Sequence, residues 1–400
     1  MVDTGGPVMP GAGKKILIVY ATAGIGHAKA AFAVRKAFDD PGLRESLPDV
    51  EITLIDSLDH TTPFFKRSYL NTYLLLVKKL VWVWGALYRL ANIPLFDRMV
   101  RKMRRLNNSI FCGKFVAYLL SEKPDIIIST HFLANEVVSN LKERGLLSSR
   151  LMSVVTDYRA HAFWFAKGID AYIVGSEDAG EDLVKWGAAR SAIKVFGIPV
   201  EPEFVRDEPA DKDKARRSLG IAERKFTILL VGGGFGVGPI EKILGIVGHW
   251  KGPLQVAVIC GYNKVLLERV RLLKAGTEID IYEFGFVKNM HEFMEAADVL
   301  ISKSGGITVS EALAKELPML VVAPIPGQES GNCDYLVRKG ASLRIRDLGN
   351  LIDVLKSFVE NPERVDALKD KIRKIRRPNA LFDIARYAVD MLSAGRKEAE

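Results

Sequence analysis

Cysteine is scarce in this chain: Cys112, Cys260 and Cys333 are three in 400 residues, far apart and odd in number. Their spacing fits neither a disulfide framework nor a metal site, so they read as ordinary reduced thiols. No run of about 18 uncharged apolar residues occurs, which excludes a membrane-spanning helix. There is no solenoid-type repeat and no low-complexity tract. The opening MVDTGGPVMPGAGKK has no apolar signal region, and residues 1–14 are expected to form a flexible polar lead. No Asp-x-Asp pair stands near a strand end, so no obligatory bound cation is expected. Acidic residues are the minority, 48 Asp and Glu against 57 Lys and Arg, for a formal net charge of +9. That balance suits an anionic partner. Nucleic acid fits poorly, because no segment has the form of a recognition module.

What is present is an α/β rhythm. With 48% hydrophobic residues, the chain is long enough for two α/β domains with full cores. The β-branched run KILIVY, Lys15 to Tyr20, reads as a buried parallel strand. It leads into a glycine turn at Gly24 and Gly26 and then an alanine-rich helix, with His27 in its first turn. An imidazole at that point, beside a crevice, suits acid–base work, although capping or packing would also explain it. Val50 to Asp56 is a second strand. PDIIIST ends at His131, and LMSVVTD ends at Asp157, with His161 and Trp164 just beyond. These residues fall at strand ends, where structural hydrogen bonding competes with chemistry as their explanation. The charged, proline-bracketed stretch EPEFVRDEPADKDKARRSLGI places a domain boundary near residue 202.

Residues 60–115 break the rhythm. The stretch TTPFFKRSYLNTYLLLVKKLVWVWGALYRL is dense in aromatic, leucine and basic residues, among them Phe64, Phe65, Trp82, Trp84, Tyr88 and Arg89. Aromatic and cationic residues interleaved in this way mark a helical insertion that lies in a membrane interface. Anionic lipid would hold it at roughly 1 kcal/mol per charge. Part of the insertion must also pack on its own domain.

The second half repeats the strand–glycine–helix unit. KFTILLV runs into a glycine turn containing Gly233, Gly234 and Phe235, able to cradle phosphates with backbone donors. QVAVIC ends at Gly261 and Asn263, and a later strand ends at Phe286 and Val287. The densest signal is DVLISKSGGITVSEALAKELPMLVVAPIPGQESGN, from Asp298 to Asn332. A short strand meets Ser304, Gly305 and Gly306; a helix capped by Thr308 or Ser310 carries Glu311 in its first turn. A second strand then ends in a polar loop holding Gln328, Glu329 and Asn332. Both loops sit at carboxyl ends of strands, where open α/β sheets bind ligands.

SKSGGITVSEALAKELPMLVVAP resembles the donor site of the peptidoglycan N-acetylglucosaminyltransferase family, whereas GQESGN and the GIGHAKAA turn resemble the monogalactosyldiacylglycerol synthases and processive diacylglycerol glucosyltransferases. The resemblance implies a GT-B fold: two Rossmann-like domains facing a cleft, with a helical membrane-associating insertion in the N-terminal one. Residues 15–201 would form the acceptor and membrane domain and 202–378 the nucleotide-sugar domain, with 379–400 a terminal helix returning to the first. It implies an inverting transfer of galactose or glucose from a UDP-sugar to diacylglycerol at the inner face of the cell membrane, on anionic lipid, with no cofactor beyond the donor. His27, aided by Asp157, would be the base. Gly26, Gly233, Gly234, Phe235, Gly261, Asn263, Ser304, Gly305, Gly306 and Thr308 would bind the nucleotide-sugar, with its diphosphate on the glycine turns. Backbone at Phe286 and Val287 would hold the uracil, and Glu311 the ribose. Gln328, Glu329 and Asn332 would hold the sugar. Phe64, Phe65, Trp82, Trp84, Tyr88, Arg89, His131, His161 and Trp164 would serve acceptor and membrane. Because SGGITVSE is nearer the peptidoglycan enzyme, a polyprenyl-linked acceptor stays open. So does a non-catalytic membrane-bound nucleotide-sugar sensor, while an epimerase would have no use for the insertion.

Overall fold

Continuous apolar runs, without the alternation of a half-exposed strand, build two fully parallel sheets buried on both faces. A computed structural model describes residues 13–397 apart from 23, 48, 79, 94–99, 101, 102, 105, 106, 109, 206–210 and 235. Phe235 therefore lies outside the described residues, as does the lead up to residue 12. In the first sheet β1 (Lys14–Tyr20) lies between β2 (Val50–Asp56) and β3 (Ile126–Ser129). Then come β4 (Arg150–Val154), β5 (Ala171–Ile173) and β6 (Ile193–Lys194), in the order β2-β1-β3-β4-β5-β6. The second sheet holds β7 (Phe226–Val231), β8 (Leu254–Ile259), β9 (Asp280–Phe284), β10 (Val299–Ser302), β11 (Met319–Val322) and β12 (Ser342–Ile345). Its order is β12-β11-β10-β7-β8-β9.

The strand order reverses once in each sheet, between β1 and β3 in the first and between β7 and β10 in the second. Ligand crevices open at such switch points, beyond the carboxyl ends of the strands. Helix α1 (Ile25–Ala37) leaves β1 at one switch point, and α4 (Gly306–Ala314) leaves β10 at the other. The two crevices face each other, because Ala30 of α1 and Tyr158 share a buried cluster with Ile307 and Leu313 of α4.

After β2 the chain forms helices, α2 (Pro63–Lys78) and α3 (Val81–Leu90), in place of another strand. Phe65 turns inward and stacks on Phe111, with ring centroids 5.2 Å apart. Phe64 and Trp82 point outward, 73% and 76% exposed. No described helix is long and apolar enough to cross a membrane. The last helix, α6 (Ala380–Lys397), lays Leu381, Ile384 and Ala388 against Ile16, Ile18 and Ile128 of the first sheet.

Three local expectations are corrected. The helix carrying Glu311 begins at Gly306 with Gly305 as its cap, so neither Thr308 nor Ser310 caps it. Ser310 instead donates back to the Gly306 carbonyl at 2.8 Å, from within the helix, and Glu311 sits in the second turn. The polar loop after β11 is short, because Gln328 already opens α5 (Gln328–Arg338). Finally β4 ends at Val154, which leaves Thr156 and Asp157 on a loop free to meet the other half.

Candidate active site

Between the two switch points lies a cleft of about 730 Å³. From the first half it receives Gly26, His27, Lys29 and Asp157; from the second, the turns at Gly233–Gly234 and Gly305, with Thr308, Glu311, Gln328 and Glu329. The glycine turn at the end of β1 is what lets α1 start with His27 over this space.

His27 is held by its backside. Its Nδ1–H donates to the Thr130 carbonyl at 2.7 Å, and Thr156 Oγ1 lies 3.2 Å from the same nitrogen. A carbonyl only accepts, so the proton sits on Nδ1 and Nε2 keeps a lone pair. Burial depresses the imidazole to about 4, with the Thr130 hydrogen bond opposing. The ring is therefore neutral at pH 7 and ready to accept a proton. Asp157 is pushed the other way, up to about 6, by burial, with hydrogen bonds from Asn332 and Trp164 opposing and the charge of Glu329 adding. Burial thus moves two groups lining the cleft in opposite directions, the imidazole down and the carboxyl up.

The donor half offers backbone amides and cations. The first N–H groups of α4 have no intrahelical acceptor, and Ile307 and Thr308 face the cleft. Phe286 and Val287 also line it, and Phe286 stacks on Tyr262 with ring centroids 4.4 Å apart and planes 11° from parallel. Gly261 lines it beside the Gly234 turn. Glu311 Oε1 accepts from Lys29 Nζ at 2.7 Å, an ion pair that bridges the two halves. Burial raises the Glu311 carboxyl, and Lys29 opposes. Lys303 pairs with Glu329 at 3.4 Å within the donor half. Lys29 and Lys303 escaped the sequence reading: the partner of Lys29 is 282 residues away, so no local pattern marks it. Lys303 lies inside the SKSGG string, where the glycines drew the attention.

Several residues expected in the site do other work. Asn332 is fully buried; its Oδ1 accepts from Tyr158 N–H at 2.7 Å, and its Nδ2 donates to Asp157 Oδ1 at 3.2 Å and the Ser304 carbonyl at 3.0 Å. It ties the two halves together and has no amide group left for a sugar. Asn263 caps the following helix by accepting from Leu266 N–H at 3.0 Å, away from the cleft. Ser304 is buried and donates to the Glu329 carbonyl at 2.7 Å. Gly306 is a wedge: a Cβ there would lie 1.9 Å from the Thr156 carbonyl oxygen. His131 is a buried helix cap, accepting from Leu133 N–H at 3.1 Å. His161 caps a short turn and donates from Nε2 to the Tyr88 carbonyl at 2.8 Å, while Trp164 lies in the first core. Trp84 and Tyr88 are half-buried and Arg89 exposed on α3.

These buried imidazoles give the fold an acid-sensitive side. His27 and His161 both titrate at about 4 in the folded chain against an ordinary 6.5, with burial the main cause. Between those values the unfolded chain binds more protons, so stability present above pH 6.5 is lost as pH falls toward 4. Asp157, raised by burial, opposes over part of that window. The expected result is a lower melting temperature at pH 4.5 than at pH 7, with a shallower pH slope in His161→Gln; calorimetry at the two pH values checks it. An unchanged slope in the variant would show that His161 is not a source of it.

Comparisons with known proteins cover both halves of the chain. Residues 27–200 match the family described as monogalactosyldiacylglycerol (MGDG) synthase, and residues 227–380 match the glycosyltransferase family 28 C-terminal domain. A probable chloroplastic monogalactosyldiacylglycerol synthase of Nicotiana tabacum is 32% identical over 383 residues, covering 93% of this chain and 69% of its own. A processive diacylglycerol beta-glucosyltransferase of Bacillus cytotoxicus is 28% identical, covering 94% and 93%. Among solved structures, MurG of Acinetobacter baumannii superposes with a TM-score of 0.58 at 16% identity, over 95% of this chain and 99% of that one. HepE of Anabaena in complex with UDP-glucose gives 0.57 at 14% identity over the same shares. At such identities these two speak for the GT-B fold alone.

Proposed function

The chain belongs to the monogalactosyldiacylglycerol synthase family of glycosyltransferases, and from that premise we propose that it transfers a hexose from a UDP-sugar to the free hydroxyl of diacylglycerol. The observation that carries the reading is one cleft with a neutral, lone-pair-bearing His27 on one wall and two glycine turns with a helix N-terminus on the other. Relatives named for galactosyl and for glucosyl transfer both match over more than nine-tenths of this chain, so galactose and glucose are the two donors to test.

His27 Nε2 takes the proton of the acceptor hydroxyl as its oxygen attacks the anomeric carbon. The bond from that carbon to the diphosphate oxygen breaks, its electron pair leaves with UDP, and the configuration inverts. The amides at Gly233–Gly234 and at the start of α4 hold the departing diphosphate, with Lys29 and Lys303 supplying positive charge. Glu311 binds the ribose, which requires it to release Lys29 in part. Gln328 and Glu329 take the sugar hydroxyls. Residues 15–201 serve the acceptor and 202–378 the donor. The exposed Phe64 and Trp82, beside the cations of the insertion, dock the enzyme on anionic lipid at the inner face of the membrane.

The test is transfer of radiolabel from a panel of UDP-sugars to diacylglycerol in anionic liposomes. Labelled glycolipid from galactose or glucose supports the reading and names the sugar. Free UDP without glycolipid would move the acceptor to another class, such as a polyprenyl-linked precursor. Tight UDP binding without turnover would leave a nucleotide-sugar sensor in its place.

A further inference from the structure

Helix α3 carries aromatics outward, but its inner face rests on the loop that enters α5. A Cβ built on Gly85 would lie 2.8 Å from Cβ of Pro326, so the helix backbone is pressed to the proline ring. One turn on, the Tyr88 ring covers Gly327, where an added Cβ would meet Cγ at 2.8 Å and Cδ1 at 3.0 Å. Gly327 has φ +100°, a region side chains rarely adopt, and is the cap from which α5 starts. The next two residues, Gln328 and Glu329, face the cleft. Glu329 closes the loop on itself, accepting from Ile325 N–H at 2.7 Å.

The same helix is pinned to the first half. The Tyr88 carbonyl accepts from His161 Nε2–H at 2.8 Å, and the two rings lie 4.0 Å apart. Its other side shows Trp82, Leu87 and Leu90 to the exterior. One helix of ten residues therefore touches the acceptor half, the donor loop and the outside.

We infer that Tyr88 is a positioning residue for the donor sugar. Its ring, packed on Gly327, holds Gln328 and Glu329 toward the cleft, so the insertion on the acceptor side also shapes the donor site. The inference rests on the reading of the cleft as a UDP-sugar site. Gly327 is the most permissive backbone in the loop, and the aromatic wall removes conformations it would otherwise sample. The rest of the donor half, at the ends of β7, β9 and β10, is built on the second sheet itself. Loss of the Tyr88 ring therefore affects the sugar part of the ligand and spares the nucleotide.

The experiment is calorimetric titration of the full chain with UDP, UDP-galactose and UDP-glucose, for wild type, Tyr88→Ala, Tyr88→Phe and Gly85→Ala. Tyr88→Ala is expected to weaken the preferred UDP-sugar by about tenfold, equivalent to ~1.4 kcal/mol, while UDP alone binds as before. Tyr88→Phe keeps the ring and retains wild-type affinity. Gly85→Ala drives a methyl into Pro326 and reproduces the loss from the other side. Unchanged UDP-sugar affinity in both Tyr88→Ala and Gly85→Ala, or an equal loss for UDP, overturns the inference and leaves the cleft reading intact. Failure of the wild type to bind any of the three ligands would overturn the cleft reading, and the inference with it.

Discussion

Replacing His27 by alanine is expected to lower kcat by about 10²–10⁴-fold, the range over which a positioned general base acts. The size follows from how the ring is held. Thr130 fixes the tautomer from a backbone carbonyl that cannot reverse its role, and burial keeps the imidazole unprotonated at any pH above about 4. In the proposed mechanism the imidazolium formed during transfer needs a compensating charge, and Asp157, which lines the same cleft, would supply it when ionised. Because Asp157 titrates at about 6, the acid limb of kcat/KM in the wild type is expected there, and not at about 4 where His27 itself would protonate. The sign is fixed: activity is lost as pH falls through 6, because the required carboxylate becomes neutral. Asp157→Asn should show a lower plateau and a limb displaced toward 4. The base assignment fails if His27→Ala turns over at the wild-type rate. A wild-type limb near 4 would remove Asp157 from the mechanism and leave His27 acting alone.

The second large effect is expected at Gly306, which opens α4 and also sets how closely the two halves approach. Its α-carbon lies so close to the first half that a methyl would sit 1.9 Å from the Thr156 carbonyl oxygen and 3.6 Å from the Asp157 α-carbon. Backbone cannot swing aside as a long side chain would, so Gly306→Ala must part the two halves. The Tyr158 hydroxyl to Ser310 contact at 2.9 Å and the Lys29–Glu311 pair at 2.7 Å span the same junction and would stretch with it. Misplacement of reacting groups by about 1 Å is enough to cost on the order of 10² in rate. Each sheet keeps its own core in the variant, so the expected signature is a large loss of kcat/KM with most of the melting temperature retained. Small-angle scattering should show a larger radius of gyration. Wild-type turnover with an unchanged scattering curve would show that the junction accommodates the methyl and that closure is not set there.

Insertion of this methyl and loss of the base differ in kind. The first keeps every reacting group but opens the cleft and displaces them; the second removes a proton acceptor and leaves the cleft closed. Comparing UDP affinity in the two variants separates them, since His27→Ala should bind UDP as the wild type does.

The sequence by itself determined the parts that are local. KILIVY, KFTILLV and DVLIS are strands because unbroken β-branched runs bury both faces. The glycine turns after them start helices because only glycine admits the backbone that closely, and that put His27 over the first crevice. Motifs in both halves pointed to a two-domain glycosyltransferase of the GT-B kind. What only the tertiary structure decided is which polar side chain spends its hydrogen bonds inside the protein. Asn332 and Gln328 are neighbours in one motif, yet one is sealed against Asp157 and Tyr158 while the other faces the cleft. His131 and His161 stand at the starts of helical turns, near where His27 stands in α1, but their nitrogens cap those turns or hold α3. Lys29 becomes part of the cleft only because Glu311 approaches from the other domain. A local pattern encodes the backbone path, since φ/ψ preference and burial act over a few residues. The role of a side chain depends on what the fold sets opposite it, and at a junction between two domains that partner can lie most of the chain away.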